Sequence, residues 1–411
     1  MTTIVIGGGA SGMLCAYFAK QSNNTVILIE QNEKLGKKLY ITGKGRCNLT
    51  NYCQKDEFLL NVVSNPKFLM SSINGFTPQD TYNLFEDLGL KLKVERGNRV
   101  FPLSDKSSDV IKTLQNALVK QGVEIKLNEK VLSVNVIDDE FKSVITDKGE
   151  YKAQNVVIAT GGLSYKSTGS TGDGYRFAKS LGHTVTDLYP SLCGINLKGE
   201  DYKDLQGLTL KNVKLQAKDG AKEYYSEQGE LLFTHYGISG PLVLTCSALS
   251  ARKNLNSVKL SIDLKPALTY EELDKRLIRD LSINSKRELK NSLDGLLPKA
   301  IIPLVIKRSK IPPYKKTDDI TSVERGNLVK VLKELTFEPI NLRGYEEAVI
   351  TSGGVSIKEI NPKTMESKII KGLYFIGEIL DVDAFTGGFN LQIAFSTAKS
   401  AGATINNSEE L

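Results

Sequence analysis

Continuous apolar runs, rather than alternating ones, mark both ends of this chain. Residues 3–30 have the pattern strand, glycine turn, helix and strand, and the runs Asn155–Ala159 and Leu373–Ile376 each lead into glycines. Strands without polar alternation are typical of a parallel sheet that is covered on both faces. The pattern therefore predicts an α/β domain whose parallel strands come from both ends of the chain.

The pattern of hydrophobic positions changes between about residues 192 and 345. Residues 193–263 predict short antiparallel strands, because brief apolar stretches are separated by turn signals. Residues 270–342 predict helices that prolines interrupt. The predicted domains are residues 1–191 with 346–411 for nucleotide binding, 192–269 for an inserted antiparallel β domain, and 270–345 for an inserted helical basic domain.

The net charge of +7 lies entirely in the middle segment. Residues 192–345 hold 26 Lys and Arg against 19 Asp and Glu, whereas the remainder holds 28 of each. Within that segment, residues 286–316 carry nine basic and two acidic side chains. This density favours an acidic partner, RNA foremost. A solvated basic face is the alternative.

Length and composition restrict the class of protein. With 411 residues the chain is too long for one compact core, and 40% hydrophobic with 25% charged residues is an ordinary globular composition. No run approaches the roughly 18 apolar residues of a membrane span. The first residues also lack the features of a signal peptide. We therefore expect a cytoplasmic protein that is not in a membrane, with its oligomeric state undefined.

The spacing of cysteine and histidine argues against a disulfide framework and against a metal site. None of the five cysteines forms a CxxC pair, and neither His183 nor His235 has a metal-ligand spacing. Disulfide reductases place a Cys-x4-Cys pair in this region of the chain, whereas five residues separate Cys47 from Cys53. One additional residue rotates the second thiol by about 100° on a helix. We expect no metal and no redox-active disulfide.

A dinucleotide-binding fingerprint stands between the first two predicted strands. Gly7 permits a tight turn, Gly9 lets a pyrophosphate approach the backbone, and Gly12 lets helix and strand pack closely. The phosphates then bind at the helix N-terminus, where free N–H groups favour anions. Glu30 ends the second strand and can accept hydrogen bonds from ribose hydroxyls, which disfavours a 2′-phosphate and hence NADP. The predicted cofactor residues here are Gly7, Gly9, Ala10, Ser11, Gly12, Glu30 and Gln31, and Val131 is added to them.

Two further segments favour FAD over NAD as the bound dinucleotide. A basic, glycine-rich loop over residues 34–48 is suited to run beside a flavin and its phosphates. Near the C-terminus, a strand ends at an acid, and a Gly-Gly turn then starts a helix whose N-terminus can stabilise negative charge on a reduced flavin. The predicted cofactor residues of these segments and of the turn after Ala159 are Lys38, Thr42, Gly43, Gly45, Arg46, Cys47, Asn48, Thr160, Gly161, Gly162, Gly377, Glu378, Asp381, Gly387, Gly388, Phe389, Asn390 and Leu391.

Six motifs together resemble one known family along nearly the whole chain. They are GGGASG, ITGKGRCNLTN, ATGGLSYKSTGSTGDGY, GELLFTHYGISGP, TSGGV and GLYFIGEILDVDAFTGGFNLQ. This combination resembles the BaiN/YhiN-like flavoproteins, the aminoacetone-oxidase-like NAD(P)/FAD-dependent oxidoreductases. The resemblance implies a Rossmann-type FAD-binding domain with an inserted β-barrel-like domain and a small helical domain. Activities in that family include oxidation of a small aminoketone, reduction of steroid-like enones and reduction of a uridine in ribosomal RNA.

Three features are candidates for chemistry beyond cofactor binding. Lys44 and Arg46 would lower the pKa of Cys47 and favour a thiolate, which makes Cys47 a candidate acid or redox partner; the alternative is a small residue that packs under its loop. His235 could act as an acid or base, or it could hold its turn by local hydrogen bonds. Residues 168–173 predict either a loop at the flavin edge or a surface turn.

Three functions remain open at this point. The first is a flavin reductase that acts on an electron-poor C=C bond, with an RNA uridine as one possible substrate. The second is an amine oxidase that passes electrons to oxygen and releases hydrogen peroxide. The third is a non-catalytic flavin-binding module associated with RNA. Because only one GxGxxG is visible, NAD(P)H would serve the first function as a transient donor rather than from a second permanent site.

Overall fold

The computed structural model describes residues 1–20 and 24–407. The chain divides into two compact units, one formed by residues 1–190 with 345–411 and the other by residues 191–344. The predicted nucleotide-binding halves differ from the first unit by one residue at each boundary. Within the described residues, no helix has the length and apolar character needed to cross a membrane.

A five-stranded parallel sheet forms the centre of the first unit, as the continuous apolar runs predicted. Apart from the edge strand at 124–126, the apolar residues of its strands are buried, which is why these strands lack polar alternation. Segments far apart in the sequence are neighbours in this sheet. The strand at 155–158 pairs with the strand at 373–375 on one side and with the strand at 2–6 on the other. In spatial order the strands are Leu373–Phe375, Asn155–Ile158, Thr2–Ile6, Thr25–Ile29 and Glu124–Lys126.

Helices cover this sheet, and the first and last of them pack against each other. Gly402 permits that approach, since a Cβ there would lie 2.7 Å from the Cβ of Phe18. The α-helices of the first unit are Ala10–Ala19, Lys37–Ile41, Lys55–Leu60, Met70–Gly75, Pro78–Asp87, Ser107–Gln121, Asp173–Ser180 and Phe389–Asn407.

Two small antiparallel sheets complete the first unit. In the sequence, the strands of the first sheet follow the basic loop at 34–48. The strands of the second lie between the central strands at 124–126 and 155–158. The first contains Thr50–Asn51, Arg99–Pro102 and Leu92–Glu95, and the second contains Val131–Ile137, Glu140–Thr146 and Glu150–Lys152. The remaining strands of this part of the chain are Tyr189–Ser191 and Ile350–Ser352.

The second unit contains a seven-stranded sheet with helices packed on it. In spatial order the strands are Leu335–Phe337, Val258–Asp263, Thr209–Asp219, Lys222–Thr234, Gly237–Ser239, Ile195–Leu197 and Pro339–Leu342. The α-helices are Pro241–Ser250, Tyr270–Ile283, Ile302–Ser309 and Ser322–Lys333.

The predicted division of this unit at residue 269 is not what the structure shows. Strands at 335–337 and 339–342 lie in the same sheet as the strands of 195–263. One hydrophobic core also joins Leu215 of a central strand to Leu277 and Leu328 of two helices. Sheet and helices bury each other's apolar faces, so neither forms a separate core.

Candidate functional site

A cavity in the first unit lies where three parallel strands end. Ile6, Ile29 and Ala159 line it, and each is the last residue of a central strand or follows it directly. Ligands of open α/β sheets bind at this carboxyl edge. Of the predicted cofactor residues, those that line the cavity are Gly7, Gly9, Ala10, Ser11, Glu30, Gln31, Lys38, Thr42, Val131, Thr160, Gly161, Glu378, Asn390 and Leu391.

The three fingerprint glycines differ in what a side chain would meet at each position. Gly7 has a φ of +106°, and a Cβ there would lie 2.6 Å from the carbonyl oxygen of Ala159. A Cβ on Gly12 would lie 1.8 Å from the carbonyl oxygen of Gly7, so helix and turn require this glycine for close packing. At Gly9, by contrast, a Cβ would meet nothing within 4 Å. Gly9 is therefore open to the cavity.

The N-terminus of the first helix lies at this cavity, and no side chain caps it or offsets its positive dipole end. It begins after Gly9 with no side-chain cap, and no acidic residue lies in its first turn. The first backbone N–H groups of a helix have no partner inside the helix, and its dipole favours negative charge at this end. Ala10 and Ser11 line the cavity at this point. The arrangement can bind a pyrophosphate.

Glu30 marks one end of the cavity with an oriented carboxylate. Its Oε2 accepts a hydrogen bond from the backbone N–H of Gly8 at 2.7 Å, and its Oε1 accepts one from that of Asn32 at 2.8 Å. The side chain is buried yet lines the cavity. Oε1 also accepts from the side-chain Nδ2 of Asn32 at 2.6 Å, so Oε2 is the oxygen that remains able to accept from a ribose hydroxyl.

Residues 168–171 lie at the same end and line the cavity, together with Asp173. Gln31 holds this loop, since its Nε2 donates to the carbonyl oxygen of Gly169 at 2.7 Å. The segment therefore contributes to the cavity wall near Gln31, and its place at the edge of a flavin stays a prediction.

An ion pair stands in another part of the wall. The Nζ of Lys38 lies 2.6 Å from the Oε2 of Glu378, and both side chains are mostly buried. The other carboxylate oxygen, Oε1, accepts from the backbone N–H of Thr351 at 3.0 Å. Both oxygens of Glu378 are therefore fixed in direction.

The C-terminal helix closes the cavity through its first turns. Gly388 has a φ of +101°, and a Cβ there would lie 2.4 Å from the backbone of Thr50, so a glycine is required. The side chain of Asn390 accepts from the N–H of Ala384 at 2.9 Å and donates to its carbonyl oxygen at 2.8 Å. The loop before the helix is thus held in place, and Leu391 faces the cavity.

The cavity fits FAD on observations that do not depend on the motif. Gly9 leaves open space beside an uncapped helix N-terminus, and Glu30 presents an acceptor at one end. Thr160 lines the cavity, and among the described residues its buried Oγ1 has no hydrogen-bond partner. A buried hydroxyl without a partner is costly unless a ligand or water satisfies it.

The other predicted cofactor residues do not line the cavity. Several support its wall instead: a Cβ on Gly162 would lie 2.5 Å from Thr351 Oγ1, and one on Gly377 would lie 2.7 Å from Ser11 Oγ. The predicted residues that lie outside the lining are Gly12, Gly43, Gly45, Arg46, Cys47, Asn48, Gly162, Gly377, Asp381, Gly387, Gly388 and Phe389.

Arg46 points away from the cavity, contrary to its predicted role beside the phosphates. Its guanidinium pairs with Glu95 and with Asp105, at 2.6 Å from the latter, and lies 4.1 Å from the centre of the Phe101 ring. Hydrogen bonds to Glu95 and then Asp105 raise the pKa of Arg46. The charge of Arg46 therefore anchors the glycine-rich loop to the strands at 92–102.

The expectation of a thiolate at Cys47 is wrong. The side chain is fully buried, and burial raises the pKa of its thiol to about 12. Arg46, which was expected to lower that pKa, binds two carboxylates instead. Cys47 is a neutral, buried side chain, and Cys15 of the first helix resembles it in both respects.

His235 lies in the second unit, on the two-residue turn between the strands that end at Thr234 and begin at Gly237. Its side chain is exposed, and its ring packs edge-on against Tyr236 at 5.0 Å. The role of His235 as an acid or base stays a prediction.

Several cavity residues were not predicted from the sequence. Ile393 and Ala394 follow Asn390 by one helical turn, so helical spacing is a signal that could have identified them. No local signal marks the others, because their positions depend on contacts distant in sequence. These are Leu39, Glu129, Lys130, Phe177, Val349, Ile350 and Val382.

Comparisons with known proteins agree with this geometry. The family described as HI0933-like protein Rossmann domain matches residues 1–404. The ribosomal RNA dihydrouridine synthase of Haemophilus influenzae is 33% identical over 408 residues, which cover 98% of each chain. The 3-dehydro-bile acid delta(4,6)-reductase of Clostridium scindens is 32% identical over 404 residues, which cover 97% of each chain. The solved 3-ketosteroid delta1-dehydrogenase of Sterolibacterium denitrificans has a TM-score of 0.55 at 14% identity, covering 99% of this chain and 100% of that one, and shows a shared fold.

Proposed function

Because the chain belongs to the HI0933-like family of Rossmann-type FAD-dependent oxidoreductases, we propose that it reduces an electron-poor C=C bond with electrons from NAD(P)H. The resemblance to the BaiN/YhiN-like flavoproteins is confirmed by this membership, and FAD is the cofactor. An FAD-dependent enzyme also excludes the non-catalytic alternative.

The observation that carries the proposal is the pair of relatives matched along almost their whole length. A delta(4,6)-reductase and a dihydrouridine synthase are both named for the saturation of C=C bonds. No feature of the cavity specifically favours amine oxidation. Reduction of a double bond is therefore the reaction class that we infer.

The residues of this chain divide the work along the cavity. FAD, when bound, supplies hydride chemistry that side chains cannot provide. Gly9 and the helix behind it hold the pyrophosphate, and Glu30 holds the ribose. Buried apolar side chains of Ile350 and Val382 exclude water from the wall that carries Glu378.

We further propose that the substrate is a uridine in structured RNA, with the basic second unit as the contact for phosphates. Ion pairs within the second unit occupy some of the basic side chains of residues 286–316, which leaves fewer of them available to contact phosphates. Lys307 and Arg308 both pair with Asp201, and Lys315 pairs with Glu324. Lys310 and Lys316 are exposed, and the described residues include no ion pair for either. Lys286, Arg287 and Lys299 share both properties, so the candidates for phosphate contacts within residues 286–316 include Lys310 and Lys316 together with these three.

The test supplies purified holoprotein with structured ribosomal RNA and NADH or NADPH, and measures dihydrouridine by mass mapping. We expect dihydrouridine to form, and the affinity for RNA to fall steeply as salt increases, because phosphate contacts release counterions. Lys310→Ser with Lys316→Ser should weaken binding and reduce the salt slope by about two.

The matched control is Lys307→Ser with Lys315→Ser, which removes the same charge from ion-paired positions. It should change the salt slope less than the first pair of substitutions. Absence of dihydrouridine and of salt-dependent affinity in the wild type would contradict the RNA substrate. Hydrogen peroxide release with a small amine would instead favour the oxidase.

A further inference from the structure

The ion pair between Lys38 and Glu378 places two full charges in the wall of the FAD cavity. The lysine comes from the short helix at 37–41 and the glutamate from a turn 340 residues later. Each side chain keeps only about a quarter or less of its solvent exposure, at 24% for Lys38 and 20% for Glu378. Interactions between charges in such a partly buried site are screened less than on an open surface.

Packing holds the carboxylate of Glu378 in a single place. Its Oε1 accepts from the N–H of Thr351, and Thr351 Oγ1 accepts in turn from the N–H of Leu163 at 2.8 Å. A Cβ on Gly162 would lie 3.0 Å from Oε1, so the turn at Gly162 closes over the carboxylate. Lys38 is the cation that compensates this fixed charge.

The pair lines the same cavity as the fingerprint residues. Glu30 marks the ribose of the adenosine, and the helix N-terminus after Gly9 marks the pyrophosphate. The lining that remains includes Lys38 and Glu378 together with Leu391 of the C-terminal helix. The two charges therefore belong to the wall of the cavity that would hold FAD.

We propose that Lys38 prevents the carboxylate of Glu378 from lowering the reduction potential of the bound flavin, because the ammonium group cancels that charge in the cavity wall. Two-electron reduction places additional negative charge on the flavin ring. A neutral ion pair in the wall affects that charge only weakly. An isolated carboxylate would oppose it, and an isolated ammonium group would favour it. This inference rests on the cofactor alone and not on the identity of the substrate.

The test measures the midpoint potential of the flavin in purified holoprotein by equilibration with a dye during chemical reduction. Lys38→Met should lower the potential, and Glu378→Gln should raise it. Each shift should reach about tenfold in the equilibrium between oxidised and reduced forms, which is about 30 mV for two electrons. The double variant should return close to the wild-type potential, because it is neutral again.

Two controls separate this role from simple anchoring of the helix. Lys38→Arg keeps the charge and should keep the potential, even if FAD binds less tightly. Lys34→Met removes an exposed lysine four residues earlier, which lies against the Tyr40 ring, and should leave the potential unchanged. A lysine that only anchors its helix would change FAD affinity without moving the potential.

Unchanged potentials in both single variants would overturn the proposal. So would a double variant whose potential stays as far from the wild-type value as that of either single variant, because the charge of one residue would then not offset the charge of the other. Lys38→Met could retain too little FAD to titrate. In that case Glu378→Gln and Lys38→Arg still test the proposal, because Glu378→Gln should shift the potential and Lys38→Arg should not.

Discussion

A glycine can be required by the atoms around it or by the space that it leaves open, and Gly12 and Gly9 represent these two cases. We expect Gly9→Leu to fold but to be colourless, because its side chain would enter the space that the pyrophosphate needs. Gly12→Ala should instead destabilise the fold by 1–3 kcal/mol or more, roughly the cost of overpacking. FAD content and thermal unfolding distinguish the two. A yellow Gly9→Leu protein with a full complement of FAD would contradict the site.

Cys47 gives the second prediction at this scale. As a neutral, buried thiol it should tolerate Cys47→Ala with FAD retained, turnover within a few fold, and a stability loss of about 1 kcal/mol. Cys15→Ala is the matched control, because that thiol is equally buried in a helix. A drop in turnover on the order of 10²-fold confined to Cys47→Ala would restore its role as a general acid.

These residues also show what the sequence could predict at the residue scale. The tight backbone at Gly7 and Gly12 belongs to a local turn, so the spacing of the glycines was sufficient to predict it. The pKa of Cys47 was not predictable, because it depends on burial and on where Arg46 points. Glu95 and Asp105, which bind that arginine, lie about 50 and 60 residues away in sequence.

At the scale of elements, His183 joins three segments of the first unit. Its Nδ1 lies 3.2 Å from Glu359 Oε2, and its Nε2 lies 3.0 Å from Ser367 Oγ. The same hydroxyl oxygen accepts from the backbone N–H groups of Ile369 and Ile370. The hydroxyl must therefore donate to Nε2, which makes His183 neutral with its proton on Nδ1.

This network predicts a loss of stability in acid. Burial lowers the pKa of His183 from its ordinary value of 6.5, although Glu359 partly opposes the shift. Below that ordinary value the unfolded chain takes up a proton that the folded chain resists, so the free energy of unfolding falls as the pH drops through about 6.5. His183→Gln should flatten this dependence, measured as the temperature of FAD release between pH 8 and pH 5.

His235→Gln provides the control, because this exposed histidine lies in the other unit. It should leave the pH dependence of the wild type intact. Equal pH dependence in wild type and His183→Gln would show that other groups control acid stability.

Element types were predictable where one periodicity dominates. The parallel strands are continuous apolar runs because both faces are covered, and the sequence shows this directly. The small sheets over 50–102 and 131–152 carry mixed burial patterns, for example in Val131–Ile137. Half-buried strands of this kind give no clear alternation, and they were not predicted.

At the scale of the whole molecule, the insertion was predictable because hydrophobic pattern and charge both change at its boundaries. Its internal organisation was not, because a strand at 335–337 joins the sheet only through pairing with a strand at 258–263. Local periodicity contains no information about that partner. Ion pairs also neutralise some of the cations on the predicted basic surface. The pair between Lys307 and Asp201 joins positions more than 100 residues apart, so the local sequence does not reveal it.

The sheet that joins residues 373–375 to residues 155–158 has a consequence for synthesis on the ribosome. Glu378, Asn390 and Leu391 are translated among the last described residues, yet they form part of the cofactor cavity. A nascent chain that has completed only its first 370 residues already carries the fingerprint turn but has an open wall. FAD loading must therefore wait until residues 378–391 have been translated, and products that terminate before them would remain without cofactor rather than become oxygen-reactive flavoproteins.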